Sequence, residues 1–135
     1  MATTNKHFRK RDAILEYLRS TRAHPSAEMI YADLKPQIPD LAMGTVYRNL
    51  SLFKEKGLVT SVATVKGVER FDGNTDPHVH FICSDCDAVI DLMEMEIPQA
   101  LSQAAEAACG GNISECQLCF TGYCRECTAE RNKVL

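Results

Sequence analysis

The sequence has no apolar run that approaches the ~20 consecutive residues of a membrane-spanning helix. Its first eleven residues, M-A-T-T-N-K-H-F-R-K-R, also lack the apolar core of a signal peptide. Of the 135 residues, 45% are hydrophobic and 24% are charged, as is typical of a soluble, folded protein. We therefore expect a cytoplasmic protein with no membrane partner.

Basic residues are scarce in the second half of the chain. Residues 71–135 carry 3 Lys and Arg against 11 Asp and Glu, a balance of −8. Residues 1–70 carry 12 against 7, a balance of +5, and the two halves sum to −3. The division predicts two domains, 1–73 and 74–135. A basic first domain favours a polyanionic partner such as DNA.

Three helices are predicted in the basic half. The first runs from Lys6 to Arg19, with grouped apolar residues. The second begins after Ser26, a favourable N-cap residue, and ends before Pro36. The third runs from Gly44 to Lys56, and apolar residues at i, i+4 and i+7 predict a buried stripe made of Val46, Leu50 and Phe53.

The opposite face of the third helix is polar. Its hydroxyl, amide and guanidinium groups suit phosphates and base edges: Thr45, Tyr47, Arg48, Asn49 and Ser51. A Val- and Thr-rich segment follows and predicts a two-stranded ribbon that turns at Lys66-Gly67. Three helices and a ribbon form a winged helix-turn-helix, whose third helix enters the major groove. A small helical domain without a DNA role is the alternative, and the polar face disfavours it.

Two metal-binding patterns lie almost back to back between Arg70 and Asp91. His78 and His80 are two residues apart, so on a strand their imidazoles leave the same face. Cys83 is an odd number of residues from both histidines and is expected on the other face. With Cys86 it forms a C-x-x-C pair, a spacing that brings two thiolates onto one zinc. The stretch is therefore predicted to supply two different metal sites.

A hairpin in this stretch adds a carboxylate to the histidines. If Ser84-Asp85 is its turn, Cys83 faces Cys86 and His78 faces Asp91. Directly opposed residues share a face of the sheet, so Asp91 joins the two histidines. A slip of one residue would move Asp91 to the wrong face.

The cysteines favour metal binding over disulfides in a reducing compartment. Six of the seven form C-x-x-C pairs at 83/86, 116/119 and 124/127, and Cys109 stands alone. A thioredoxin-like redox pair is disfavoured because none of these pairs lies between a strand and a helix. A helix is predicted from Ala100 to Cys109, and a strand from Asn112 to Phe120.

The last pair is the better partner for the first. On a continuous strand Cys116 and Cys119 face opposite ways, whereas the last pair follows Gly122, where the chain can bend. The predicted site is a closed, structural zinc tetrathiolate, with Cys116 and Cys119 as the alternative second pair. Its ligands are Cys83, Cys86, Cys124 and Cys127.

An ordered series of motifs covers nearly the whole chain: A-I-L-E-Y-L, A-H-P-S-A-E-x-I-Y, G-T-V-Y-R-N-L, G-L-V, R-F-D, H-x-H-x-I-C-x-x-C, V-I-D and the final C-x-x-C. In these motifs the chain resembles the ferric uptake regulator (Fur) family, and most closely its peroxide-sensing PerR branch. The resemblance implies a homodimeric, metal-dependent repressor that binds a palindromic operator in double-stranded DNA. It implies an α+β protein: an N-terminal winged helix-turn-helix domain, then a small α/β dimerisation domain with a Zn(Cys)4 site.

The resemblance also implies a regulatory Fe(II) or Mn(II) site. Its ligands, carried over position by position, are His24, Asp72, His78, His80 and Asp91. In the family, Asp at the last of these positions accompanies peroxide sensing, and Glu accompanies iron sensing. Peroxide sensing then implies iron-catalysed oxidation of the ring of His24 or His78.

The chain departs from the family pattern in three ways. The segment before Lys6 is too short for the upstream helix that many relatives carry. Ala42 replaces a helix-capping Ser, and Asp40 is expected to substitute as the cap. Cys116 and Cys119 stand where relatives often have histidine or acidic residues, so a third metal site of the usual type is not expected.

Two other functions use the same residues. One is an iron- or zinc-responsive repressor of metal uptake genes, with the same fold and a different signal. The other is a metalloenzyme that uses His78, His80 and a carboxylate around an open metal position. No general base stands out, and an enzyme leaves the basic domain without a purpose, so we expect a repressor and not an enzyme.

Overall fold

The computed structural model describes residues 6–76 and 78–133, with the side chains of residues 6–8 excepted. Residues 1–5, the segment before Lys6, lie outside the described range. The described chain divides into two compact units, Met1–Thr75 and Asp76–Leu135. Within the described residues, no helix has both the length and the apolarity needed to cross a membrane.

The first unit packs three helices around one apolar core. Helix α1 spans Lys6–Ser20, α2 spans Ala27–Leu34 and α3 spans Met43–Glu55. Each helix contributes residues from one face to this core, among them Ile14, Leu18, Ile30, Leu34, Val46, Leu50 and Phe53, all at most 5% exposed. The predicted stripe on the third helix is therefore confirmed.

The helix ends follow local chemistry, with one exception. The hydroxyl of Ser26 caps α2 by accepting a hydrogen bond from the backbone N–H of Met29 at 3.2 Å. Helix α3 ends at Glu55 with Lys56 as its C-cap, and the next residue, Gly57, has a φ of +73° that suits a residue without a Cβ. The N-cap residue of α3 is Ala42, which offers no side-chain cap, and the carboxylate of Asp40 lies 3.2 Å from Lys10 Nζ. The expected cap by Asp40 stays a prediction.

A two-stranded ribbon follows the helices. Strands β1 (Thr60–Val65) and β2 (Val68–Asp72) pair antiparallel, with Val65 opposite Val68. The turn residues Lys66 and Gly67 both have positive φ, as a tight two-residue hairpin turn requires. The predicted ribbon and its turn are confirmed.

The second unit contains a three-stranded sheet in the order β4-β3-β5. Strand β3 spans Val79–Cys83, β4 spans Val89–Leu92 and β5 spans Cys119–Gly122, with β3 antiparallel to β4 and parallel to β5. Helix α4, Gln99–Cys109, makes the crossover between β4 and β5 and ends at Gly110 in the left-handed conformation. The predicted α+β class is confirmed.

Two elements of the second unit differ from prediction. The strand expected from Asn112 to Phe120 begins only at Cys119, and residues 112–118 are irregular. A final helix, α5, spans Arg125–Lys133 and was not predicted. The expectation that no C-x-x-C pair lies between a strand and a helix was therefore wrong for Cys124 and Cys127, which lie where β5 leads into α5. Its hydrophobic residues are too few to mark a buried face, and none of its side chains is buried.

Candidate metal centres and nucleic-acid interface

The β3–β4 hairpin positions two different ligand groups. His80 lies opposite Asp91, and Val79 lies opposite Leu92. The predicted pairing of His78 with Asp91 was therefore wrong by two residues. Because side chains alternate with a period of two, this shift keeps Asp91 on the histidine face.

The shift arises from a longer turn. The backbone N–H of Cys83 donates to the carbonyl of Ala88 at 2.9 Å, so residues 84–87 form the loop. Asp87 adopts a left-handed φ of +64° within it. The N–H of Cys86 approaches the sulfur of Cys83 at 3.5 Å. This turn wraps around a thiol and differs from the expected two-residue hairpin turn.

Four thiols converge beside this turn. The sulfur atoms of Cys83, Cys86, Cys124 and Cys127 all lie within 4.8 Å of one another. Cys83 ends β3, and Cys124 lies two residues after the end of β5, so the parallel pairing of these strands brings the two C-x-x-C segments together. Cys116 and Cys119 are not part of this group.

The backbone around the thiols favours a negative charge. N–H groups of Cys86 and Cys124 point at the sulfur of Cys83, and these hydrogen bonds lower the pKa of its thiol to about 6. Ionisation of a further thiol in the group is disfavoured. A hydrogen bond between the side chains of Cys127 and Cys124 raises the pKa of Cys127. A divalent cation removes this conflict by stabilising all four thiolates.

The spacing of the sulfurs fits a zinc ion. Ligands ~2.3 Å from a tetrahedral zinc lie about 3.8 Å from one another. The sulfurs of Cys86 and Cys124 are 3.9 Å apart. Four thiolates complete the tetrahedron and leave no position for water, so the arrangement suits a structural metal.

The histidine face of the hairpin holds a second group. The Nε2 atoms of His78 and His80 lie 3.0 Å and 3.2 Å from the same carboxylate oxygen of Asp91. The Nδ1 atom of His78 is 2.6 Å from the carbonyl oxygen of Asp76, which only accepts hydrogen bonds. With the proton on Nδ1, the Nε2 lone pair of His78 is directed at Asp91, and a shared cation stabilises this convergence of acceptors.

His24 and Asp72 form a buried pair within the first unit. Their Nε2 and Oδ2 atoms are 3.4 Å apart, and their side chains are 2% and 6% exposed. The second carboxylate oxygen of Asp72 accepts a hydrogen bond from the backbone N–H of Asn74 at 2.8 Å. A buried imidazole beside a buried carboxylate is a ligand pair suited to Fe(II) or Mn(II).

Arg70 fixes the backbone that carries His24. Its guanidinium donates to the carbonyl oxygens of His24 and Ala23, the second at 2.8 Å. The N–H of Phe71 also donates to the carbonyl of Pro25 at 3.0 Å. These contacts hold His24 in a left-handed φ of +52°, which is uncommon for a residue with a Cβ. Sequence reasoning missed this role, because no spacing relates the two residues.

The outer face of α3 is open to solvent. Tyr47 is 49% exposed, and Arg48 and Ser51 are exposed beside it. The guanidinium of Arg48 donates to the hydroxyl of Thr45 at 3.1 Å, and the amide of Asn49 donates to the Thr45 carbonyl at 2.9 Å. These groups share one accessible surface with the chemistry to contact phosphates and bases.

Glu28 contacts this surface from α2. The hydroxyl of Tyr47 donates to the carboxylate of Glu28 at 2.5 Å. This hydrogen bond raises the pKa of Tyr47 and lowers the pKa of Glu28. The sequence did not predict this contact, because Glu28 lies 19 residues before Tyr47 and no pattern links the two positions.

The chain is similar in sequence to known proteins. Residues 3–121 match the sequence profile of the ferric uptake regulator family. The peroxide operon regulator of Bacillus subtilis strain 168 is 37% identical over 123 residues, 91% of this chain and 84% of that protein. The peroxide-responsive repressor PerR of Staphylococcus epidermidis is 33% identical over 123 residues, 91% of this chain and 81% of that protein.

Solved structures share the fold. The Campylobacter jejuni peroxide stress regulator superposes with a TM-score of 0.77 at 24% sequence identity. The superposition covers 90% of this chain and 91% of that one.

Proposed function

Because the chain belongs to the ferric uptake regulator family, we propose that it is a metal-dependent transcriptional repressor that senses peroxide. Relatives that are 33% and 37% identical over 91% of the chain bear the names of peroxide-responsive regulators. The observation that carries the proposal is the presence of two chemically different ligand groups, one all thiolate and one of imidazole and carboxylate, in a chain that also has a helix with a polar outer face.

Residues 1–73 are the proposed DNA-binding domain. Helix α3 enters the major groove, and Thr45, Tyr47, Arg48, Asn49 and Ser51 contact phosphates and base edges. The +5 charge balance of residues 1–70 supports this assignment, because a positive surface attracts the phosphate backbone. DNA as the partner implies a cytoplasmic protein.

Residues 74–135 are the proposed dimerisation domain. Helix α4 buries none of its side chains within the chain. Large apolar side chains of this unit are also exposed, among them Met93, Met95, Leu101 and Phe120, each at least 45% exposed. Such surface supports a homodimer, since apolar area of this kind is normally covered in a soluble protein. A two-fold dimer presents two recognition helices, so its operator is palindromic.

The four thiolates are proposed to hold structural zinc. Four soft thiolate ligands in a closed tetrahedron favour a zinc ion over a single Fe(II) or Mn(II) ion. Zinc here stabilises the fold of the second domain, because binding free energy at a structural site is folding free energy.

His24, Asp72, His78, His80 and Asp91 are the proposed regulatory ligands for Fe(II) or Mn(II). Nitrogen and oxygen donors suit these metals. Two of the ligands come from the first domain and three from the second, so one metal bound by all five restricts the relative motion of the domains. Such a metal biases an equilibrium between DNA-binding and non-binding arrangements.

Fe(II) held by these residues would catalyse the reduction of peroxide by a ligand imidazole: one peroxide oxygen would be inserted into a ring C–H bond, which loses two electrons, and the other oxygen would leave as water. The ring that gains oxygen is proposed to be that of His24 or His78. An oxidised ring is a weaker ligand, so the affinity of the site for the metal falls. Without the metal the DNA-binding arrangement is no longer favoured, and the protein dissociates from its operator.

Operator titration tests the proposal. A labelled palindromic operator is titrated with the protein in the presence of Fe(II), Mn(II) or Zn(II), before and after a low dose of peroxide. We expect Fe(II) and Mn(II) to support binding and peroxide to release only the Fe(II) form. Binding that follows iron or zinc and ignores peroxide indicates a metal-uptake repressor, and no operator binding with any metal overturns the repressor.

A further inference from the structure

One side chain bridges the two C-x-x-C segments outside their thiols. Arg131, in α5, donates from Nε and Nη2 to the two carboxylate oxygens of Asp85, each at 3.0 Å. Asp85 lies inside the first C-x-x-C turn. The guanidinium carbon of Arg131 also lies 3.6 Å from the ring centroid of Tyr123, the residue that precedes the second pair. Arg131 thus contacts both segments that supply the thiols.

Helix α5 fixes the position of this guanidinium. Cys127 and Arg131 are four residues apart on the helix and therefore lie on the same face. The backbone N–H of Thr128 donates to the carbonyl of Cys124 at 2.8 Å, and its hydroxyl donates to the carbonyl of Tyr123 at 3.2 Å. The helix is therefore anchored on the second C-x-x-C segment before it reaches Arg131.

The contact differs from an ordinary surface ion pair, which contributes little to stability. It is bidentate, which fixes the relative orientation of the two groups. Its guanidinium is stacked on an aromatic ring. It also joins residues 46 positions apart that belong to different halves of one ligand set. A positive charge here further offsets the net negative charge of four thiolates around one divalent ion.

We propose that Arg131 is a positioning residue of the tetrathiolate site, which holds the two C-x-x-C segments together and slows the release of zinc. The proposal rests on the assignment of zinc to this site under the proposed function. Opening of either segment exposes thiolates to water, and the bridge makes that opening rarer.

Zinc release from the full chain tests the proposal. Zinc-loaded wild type and Arg131→Ala are mixed with excess chelator, and free zinc is followed with a colorimetric indicator. Loss of an exposed bidentate pair and of one cation–π contact is expected to speed release roughly three- to tenfold. Lys133→Ala is the matched control, because it removes a cation from the same helix whose partner, Glu130, lies outside both C-x-x-C segments.

Two further variants separate positioning from a general loss of the helix. Arg131→Lys keeps the charge but cannot form the bidentate contact, so we expect release that remains faster than in wild type. If the two residues act as a pair, Asp85→Ala with Arg131→Ala releases zinc no faster than Arg131→Ala alone.

Two results overturn the proposal: Arg131→Ala releases zinc at the wild-type rate, or the effects of the two single substitutions multiply in the double variant. A wild-type protein purified without stoichiometric zinc instead contradicts the zinc assignment, so the two failures are distinguishable.

Discussion

Gly73 follows the candidate ligand Asp72 and tolerates no side chain. A Cβ at this position would lie 2.6 Å from the backbone oxygen of Leu18 and 2.9 Å from the backbone nitrogen of Arg19. Both atoms belong to α1, so the substitution must shift a backbone and cannot be relieved by a side-chain rotation.

We therefore predict that Gly73→Ala destabilises the protein by about 1–3 kcal/mol. Chemical denaturation followed by circular dichroism measures the loss. Gly111→Ala is the control, because the nearest atom to its added Cβ is the sulfur of Cys109 at 3.7 Å. That variant is expected within about 0.5 kcal/mol of wild type, and equal stability of the two variants contradicts the packing argument.

Tyr47 and Arg48 carry the proposed contact with DNA. Their side chains are exposed on α3 and do not contribute to its core. We predict that Tyr47→Ala and Arg48→Ala lose operator binding and keep the metal content of wild type, because the ligands lie elsewhere. Fluorescence anisotropy and elemental analysis measure the two properties. If both variants bind the operator normally, α3 does not contact the bases.

At the scale of elements, the sequence predicted a helix face or a turn correctly where a single local feature determines it. The apolar stripe of α3 and the Lys66-Gly67 turn each follow from a period or a backbone preference that the sequence displays directly. The spacing of His78, His80 and Cys83 predicted the two separate ligand groups for the same reason. The histidines are two residues apart, whereas Cys83 is an odd number of residues from both.

The remaining elements depended on information outside the local sequence. The loop of residues 84–87 is set by hydrogen bonds to a thiol, which a turn rule does not include. Of the strand expected from Asn112 to Phe120, only Cys119 and Phe120 pair with β3, since pairing requires a partner and not only strand-forming residues. Helix α5 is held by Thr128 and Arg131, whose partners precede the helix in sequence.

The C-x-x-C segments give a prediction at this scale. Cys86→Ser and Cys124→Ser are expected to lose zinc and to unfold or monomerise the second domain, because each removes a ligand of a structural site. Cys116→Ser is the control and is expected to keep its zinc, since its sulfur lies outside the group. Zinc content and sedimentation velocity measure both effects. Loss of zinc in Cys116→Ser with retention in Cys124→Ser contradicts the assignment.

At the scale of the whole molecule, the two halves of the chain have opposite charge balances of +5 and −8. This difference indicates that the two halves have different functions. The basic half is the one suited to approach phosphates, and like charge disfavours such an approach by the acidic half. The assembled dimer is therefore expected to bind DNA through electrostatic contacts that both protomers share.

Operator affinity is predicted to fall steeply with salt, because each phosphate contact releases counterions. Binding isotherms between low and physiological salt give the slope of log affinity against log salt concentration. A half-site operator is the control and is expected to bind far more weakly than the palindrome. A salt-independent affinity, or equal affinity for half-site and palindrome, is incompatible with a dimeric repressor of this kind.

The central claim is that peroxide acts through the regulatory metal on the histidines that bind it. The direct measurement is peptide mass spectrometry of the Fe(II) and Mn(II) proteins after mild peroxide treatment, with operator binding measured on the same samples. We predict that the Fe(II) protein gains about 16 Da, the mass of one oxygen atom, on a peptide containing His24 or His78 and leaves the operator. The Mn(II) protein stays bound, and Asp91→Glu is far less sensitive to peroxide. Equal release of both metal forms with oxidation confined to cysteines would contradict the claim and indicate a thiol switch at Cys116 and Cys119.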